Sequence, residues 1–131
     1  MSAPPRRAVL TGTAAATLGA VAATGAAAAE QNPDAELIRV CAQHAINKAA
    51  VNAGLDYDEG PLWDAYDATR DFISDSAPQT LAGVLAKVRA AKDESMNSDG
   101  TERWEGSMGE AWAGDIINDL LRVAGASEGA A

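Results

Sequence analysis

The sequence predicts an all-α protein, a small antiparallel bundle of about four helices that follows a non-globular N-terminal segment. Apolar residues recur at spacings of three and four in four separate segments, which is the spacing of one helix face. Prolines and capping residues stand at the ends of these segments. No segment sustains an alternation of apolar and polar residues, so we expect no β-sheet.

The first two helices are predicted on either side of Gly54. The stretch "NPDAELIRVCAQHAINKAAVNAG" begins with a capping Asn32 and with Pro33 in the first turn, and Gly54 ends it. Its expected inner face comprises Leu37, Cys41, His44, Ala45 and Val51. The second helix starts at Pro61 and ends before Pro78. Its expected inner face comprises Leu62, Tyr66, Thr69 and Ile73, with Trp63 and Phe72 at the edges.

The third and fourth helices flank the polar loop "MNSDGTERWEG". Thr80 is expected to cap the third helix, whose predicted inner residues are Leu81, Val84, Leu85 and Val88. Lysines and an arginine lie toward the C-terminal end of this helix, where the negative end of the helix dipole favours positive charge. "SMGE" predicts a capping box between Ser107 and Glu110 at the start of the fourth helix. Gly125 is expected to end that helix, whose predicted inner residues are Trp112, Ile116, Leu120 and Val123, with Ile117 and Leu121 beside them.

Composition limits what this fold can do. Apolar residues make up 47% of the 131 residues but aromatic residues only 5%, so a few larger side chains must form the core. Arg6 and Arg7 precede Glu30, and from Glu30 onward 19 acidic and 8 basic side chains give a net charge of −11. Such a surface repels phosphate and anionic lipid, so we expect the domain of residues 30–131 to bind neither nucleic acid nor a membrane.

Residues 1–29 have the organisation of an export signal. A basic start is followed by an uncharged stretch rich in alanine, and Ala27 and Ala29 form an A-x-A site that places cleavage before Glu30. The stretch "RRAVLTG" resembles a twin-arginine signal, in which paired arginines are followed by a spacer and two apolar residues. The matching positions are Arg6, Arg7, Val9 and Leu10, while Pro5 and Thr11 depart from the usual residues.

This resemblance implies that the export machinery is a partner and that the processed protein is periplasmic or secreted. A disordered tail on a cytoplasmic protein and a retained membrane anchor stay open as alternatives.

Cys41 and His44 lie three residues apart and therefore share one helix surface. Together they suggest either a nucleophile with its base or two metal ligands. A zinc site needs three or four ligands, however, and the chain has one cysteine and one histidine, so carboxylates would have to complete it. We interpret both residues as part of an inner helix face, and we expect no cofactor and no catalytic set.

Trp104 is the candidate contact residue, because it lies in the polar loop beside Arg103 and Glu105. Asp64, Asp67, Asp71 and Asp75 form an acidic stripe that would suit a basic partner or simply face water. The segments "DYDEG" and "NSDGTE" have clustered oxygen ligands, but neither fits the register of a calcium-binding EF-hand loop.

The run "LWDAYDATRDFI…APQTLAGVLAKVRAAK…ERWEGSMGEAWAGDIINDLLRVAG" resembles a group of small uncharacterised bacterial proteins, often associated with prophages, that commonly start with a twin-arginine-like segment. The resemblance implies a bacterial setting and supplies no catalytic residues. The sequence therefore favours a non-catalytic helical interaction protein with an unknown protein partner. A metal- or small-ligand-binding periplasmic module is the alternative, and an enzyme has the least support.

Overall fold

The computed structural model describes residues 32–54 and 59–130, and within them the chain forms four helices and no strand. The helices are α1 (Ala35–Ala53), α2 (Pro61–Asp75), α3 (Leu81–Glu94) and α4 (Met108–Ala130). The predicted all-α bundle is thus confirmed for the described part of the chain. No helix in this part has both the length and the apolar character needed to cross a membrane.

The helices α1 and α3 each have two neighbours in the bundle. The helix α1 packs against α2 and α3, and α4 packs against α3. Asp34, just before α1, contacts Thr80 at the start of α3, while Lys48 near the end of α1 contacts Met96 just after α3. The helices α1 and α3 therefore run in the same direction, as alternate helices of an antiparallel bundle must.

The helix starts follow local chemistry. Thr80 caps α3 as predicted, because its hydroxyl oxygen accepts the backbone N–H of Gly83 at 3.1 Å. Pro61 opens α2 as predicted. The residue that precedes α1 is Asp34 rather than Asn32, and its side chain does not cap its own helix. Its carboxylate instead accepts the backbone N–H groups of Gln79 and Thr80, at 3.0 and 2.8 Å, and so joins the starts of α1 and α3.

The helix α3 turns its small residues inward. Ala86, Ala90 and Ala91 belong to the core, which also contains Leu37, Val40, Cys41, Ile73 and Trp112. The prediction that Leu81, Leu85 and Val88 lie inside is wrong, since they are 54%, 41% and 37% exposed. The alanine face lets α3 approach α1 and α4 more closely than a leucine face would.

The helix α4 has two apolar faces. Trp112 is 1% exposed, and Ile116 packs against the core, as predicted. Leu120, expected inside, is 45% exposed and lies on the outer face with Ile117 and Leu121. Gly125 does not end the helix, which continues to Ala130.

A buried ion pair holds α3 to α4. The ammonium of Lys87 is 3.2 Å from Asp119 and also donates to the carbonyl oxygen of Ser76 at 3.1 Å. Lys87 has no exposed side-chain surface, and Arg122 contacts the other oxygen of Asp119 at 3.0 Å. Lys87 therefore contributes a paired charge inside the bundle, which the sequence did not predict.

Gly109 marks a close approach of α4 to the end of α3. A Cβ atom added there would collide with the carbonyl oxygen of Ala91 and would lie 3.0 Å from the ring of Trp104. The backbones of α3 and α4 cannot move apart at this point without separating the packed faces of the two helices. Glycine is therefore required here by space rather than by backbone conformation.

Gly109→Ala is expected to lower the free energy of unfolding by about 2 kcal/mol, since it overpacks the contact between α3 and α4. Gly114→Ala in the same helix is the matched control. The position is open, so alanine there should raise stability by up to about 1 kcal/mol through helix propensity. Urea unfolding followed by circular dichroism measures both changes, and equal stabilisation by the two substitutions would contradict the close approach.

Candidate functional site

Four polar side chains from three helices meet beside the core, and we call them the polar cluster: His44, Tyr66, Thr69 and Glu94. His44 Nε2 is 2.5 Å from Glu94 Oε1, and His44 Nδ1 is 2.7 Å from Thr69 Oγ1. The hydroxyl of Tyr66 donates to the same Glu94 oxygen at 2.8 Å. His44 has no exposed surface, so the hydrogen bonds that join α1 to α2 and α3 through its ring are shielded from water.

Both ring nitrogens of His44 have oxygen partners on neighbouring helices. The Thr69 hydroxyl donates to its own helix, within bonding distance of the carbonyl oxygens of Tyr66 and Ala65 at 3.0 and 3.2 Å. Its oxygen lies against His44 Nδ1, and the Glu94 carboxylate lies against Nε2. The ring is therefore held on both sides by hydrogen bonds.

The surroundings shift the pKa values of Glu94 and Tyr66 in opposite directions. Burial opposes ionisation of Glu94, but hydrogen bonds from His44 and Tyr66, with the charges of His44 and Lys48, bring its pKa below the usual 4.5. Burial, followed by the bond to Glu94 and its charge, raises the pKa of Tyr66 above its usual range. At neutral pH Glu94 is therefore ionised and Tyr66 keeps its proton.

Aromatic rings extend the polar cluster into the core and toward the surface. The His44 ring stacks on Tyr66 at 4.8 Å between centroids and meets the edge of Trp112 at 5.5 Å. Trp63 lies 5.3 Å from Tyr66 on the surface side. Trp112 is fixed in turn, because its indole N–H donates to Ser74 at 2.8 Å.

The order Glu94, His44, Thr69 has the connectivity of an acid–base–hydroxyl relay. Catalysis by such a relay needs a hydroxyl that reaches substrate and a base that reaches the hydroxyl proton. The Thr69 hydroxyl is bonded within α2, and His44 is enclosed by three helices. We therefore interpret the relay as a structural link between helices.

Cys41 and His44 have different surroundings. Cys41 lies in the apolar core, where burial raises its pKa to about 11 against a smaller opposing effect of Lys87. The thiolate needed for nucleophilic chemistry is thus scarce at neutral pH. Both ring nitrogens of His44 are occupied, and the described residues contain no group of three or more His, Cys, Asp or Glu placed to hold a metal.

Two clefts open beside the polar cluster, and Lys48, Asn52 and Glu94 line both of them. The first, which we call the aromatic cleft, has a volume of about 330 Å³ and is completed by Val51, Trp63, Tyr66 and Arg70. The second, about 350 Å³, is completed by Met96, Asn97 and Ser98. Trp63 was expected at the edge of the core, whereas it forms a wall of the aromatic cleft.

Trp104 is 38% exposed, as expected for a loop residue, but it is held in place. Its indole N–H donates to the carboxylate of Glu102, which also pairs with Lys92 at 2.7 Å. Its ring packs against Gly109. The assignment of Trp104 as a contact residue stays a prediction.

The export-signal residues lie outside the described part of the chain. These are Arg6, Arg7, Val9, Leu10, Ala27, Ala29 and Glu30.

Comparisons of the chain with protein-family models, with curated proteins and with solved structures found no match.

Glu94→Gln is expected to lower the free energy of unfolding at neutral pH by about 3 kcal/mol, because it removes the charged partner of buried His44. Glu105→Gln is the control, since Glu105 is exposed and makes no hydrogen bond or ion pair with the described residues. Chemical denaturation of the full chain and the two variants gives the comparison.

The same variants test the pH dependence. A carboxyl group with a lowered pKa in the fold stabilises the fold above its unfolded pKa, and this stability is lost as pH falls through the folded pKa. The protein should therefore lose stability as pH falls below 4.5, and Glu94→Gln should weaken that dependence. An unchanged acid profile in the Glu94→Gln variant would contradict the assigned pairing.

Proposed function

We propose that this protein is a small non-catalytic interaction protein whose α4 helix binds a helix of another protein. The observation that carries the proposal is a stripe on the outer face of α4, which we call the outer α4 stripe. It consists of Ala113, Ile117, Leu120, Leu121 and Ala124. Ile117, Leu120 and Leu121 are 60%, 45% and 67% exposed, so the described chain leaves much of their apolar surface uncovered.

The spacing of the outer α4 stripe supports a helical partner. Ala113, Ile117, Leu120 and Ala124 succeed one another at intervals of four, three and four residues. This is the spacing by which one helix packs along another. The opposite face of α4 already packs against the core through Trp112 and Ile116, so the stripe is a second, separate seam.

Charge favours a basic partner over a second copy. The chain from Glu30 onward carries a net charge of −11, and exposed Glu110 lies one turn before Ala113 on α4. Two copies would bring like charges together, whereas an apolar helix face flanked by lysine or arginine would be attracted. The proposed partner is therefore an amphipathic helix with basic flanks.

A labelled amphipathic peptide with leucines at helical spacing and lysines elsewhere tests the proposal by fluorescence anisotropy. Ile117→Gln with Leu121→Gln should weaken its binding roughly tenfold or more, because two apolar contacts at the centre of the seam are lost without a change in charge. Ile46→Gln is the control, since Ile46 is 62% exposed on α1, away from the stripe.

Equal losses in the two variants, or equal binding of a peptide with glutamates in place of lysines, would contradict this proposal. The contrary result is that the full chain sediments as a stable dimer, which the double substitution dissociates. That result would assign the outer α4 stripe to a second copy of the chain and overturn the choice of partner.

We propose further that the protein is exported by the twin-arginine route in a bacterial, prophage-linked setting. The support is the sequence itself: the paired Arg6 and Arg7, the uncharged stretch after them and the Ala27–Ala29 cleavage pattern. Processing before Glu30 would release the acidic helical domain without its basic N-terminal residues.

Mass spectrometry of the protein recovered from cell fractions tests the export proposal. The expected form outside the cytoplasm begins at Glu30, and Arg6→Lys with Arg7→Lys should retain the unprocessed chain in the cytoplasm. This substitution keeps the charge, so it separates recognition of the arginine pair from general basicity. A cytoplasmic, unprocessed chain before any substitution would refute export.

A further inference from the structure

The carboxylate of Glu94 has one oxygen engaged by the fold and one available. Oε1 accepts both hydrogen bonds, from His44 and Tyr66, and no described residue donates to Oε2. The side chain is only 6% exposed, and it lines both clefts. Oε2 reaches the surface of the clefts without a donor from the described residues, so it can accept an N–H or O–H group that a ligand brings.

Two aromatic side chains, Trp63 and Tyr66, line the aromatic cleft beside this carboxylate. Trp63 and Tyr66 lie 5.3 Å apart with their planes 36° from each other, and both are half-buried rather than packed in the core. The rear of Tyr66 is supported by His44. Aromatic rings that line a cleft favour contact with a planar ring over binding of an aliphatic chain.

The cations that line the aromatic cleft are engaged by the chain itself. Lys48 donates to the carbonyl oxygens of Asp93 and Met96 at the end of α3, and its ammonium lies 3.9 Å from the Asp93 carboxylate. Arg70 pairs with Asp67 and also lies 3.5 Å from Asp71. Neither cation is left to neutralise an incoming anion, and the positive charges oppose an incoming cation, so an uncharged ligand fits best.

We propose that the aromatic cleft binds a neutral, planar nitrogen heterocycle that carries an exocyclic amine. The ring stacks on Trp63, and its N–H groups donate to Glu94 Oε2. Asn52 lies at the rim with no side-chain hydrogen bond to the described residues, so its amide can bind a ring nitrogen. The volume of about 330 Å³ is sufficient for one such ring system.

The same chemistry occurs in a free base and in an unpaired base of a nucleic acid. The net charge of −11 from Glu30 onward opposes the approach of a phosphate chain, which favours the free heterocycle. This inference does not depend on the outer α4 stripe, since α4 contributes no residue to the aromatic cleft.

Titration of the full chain with adenine, followed in amide and indole NMR spectra, tests the proposal. Saturable shifts are expected at Asn52, Trp63 and Tyr66. Purine, which lacks the exocyclic amine, should bind about fivefold more weakly because one hydrogen bond to Glu94 is lost. Adenosine monophosphate should bind more weakly than adenine, and benzoate, a planar anion, should not bind at the cleft.

Trp63→Ala should weaken adenine binding roughly tenfold or more by removing the stacking surface. Phe72→Ala is the matched control and should leave the affinity unchanged, because Phe72 is an exposed aromatic residue of the same helix that lines neither cleft. Thermal unfolding of both variants checks folding. Mapping of the shifts on the unsubstituted protein keeps the test valid if Trp63→Ala fails to fold.

Absence of saturable shifts with adenine, shifts away from the cleft, or equal binding of purine and adenine would overturn the proposal. Tighter binding of adenosine monophosphate than of adenine would show that Lys48 and Arg70 recognise a phosphate, and it would overturn the assignment of an uncharged ligand.

Discussion

The hydrogen bond between His44 and Glu94 is the contact on which the rest of the fold depends. It fixes α1 against the end of α3, and through Tyr66 and Thr69 it also fixes α2. An unpaired buried imidazole or carboxylate would be costly, so the three helices have one favourable register. The same bond leaves Glu94 Oε2 at the junction of the two clefts, and it therefore connects the packing of the bundle to its surface chemistry.

Polar links of this kind suit a chain whose core is rich in small residues. Alanines on α3 supply close contact but little area, and they fit together in more than one register. Three polar links remove that freedom at different heights of the bundle: Asp34 with Thr80, His44 with Glu94, and Lys87 with Asp119. The three polar links thus determine the register in which the helices pack, while the alanines determine how closely the helices lie.

The sequence predicted the helices better than their faces. Pro61 and Thr80 identified helix starts because prolines and caps act locally. Periodicity did not identify the buried faces of α3 and α4, because both helices are apolar on more than one side. Leu81 and Leu120 fit the predicted inner stripes but are exposed in the structure.

The site was predictable in part. His44, Tyr66 and Thr69 were all placed on inner faces, which is where they meet. Glu94 was missed because a glutamate near a helix end looks like a solvated residue, and its partner lies 50 positions away. Two buried groups at such a separation carry no local signal, and the same holds for Lys87 and Asp119. The free oxygen of Glu94 follows from this pairing and was therefore also beyond the sequence.

The parallel alignment of α1 and α3 has a consequence for biosynthesis. The carboxylate of Asp34 and the side chain of Lys48 find their partners on a segment that begins about Gln79 and ends at Met96. A ribosome synthesises α2 directly after α1 and this segment only later, so α1 can pack against α2 first. Both ends of α1 therefore stay without their partners on α3 until most of the chain has been made.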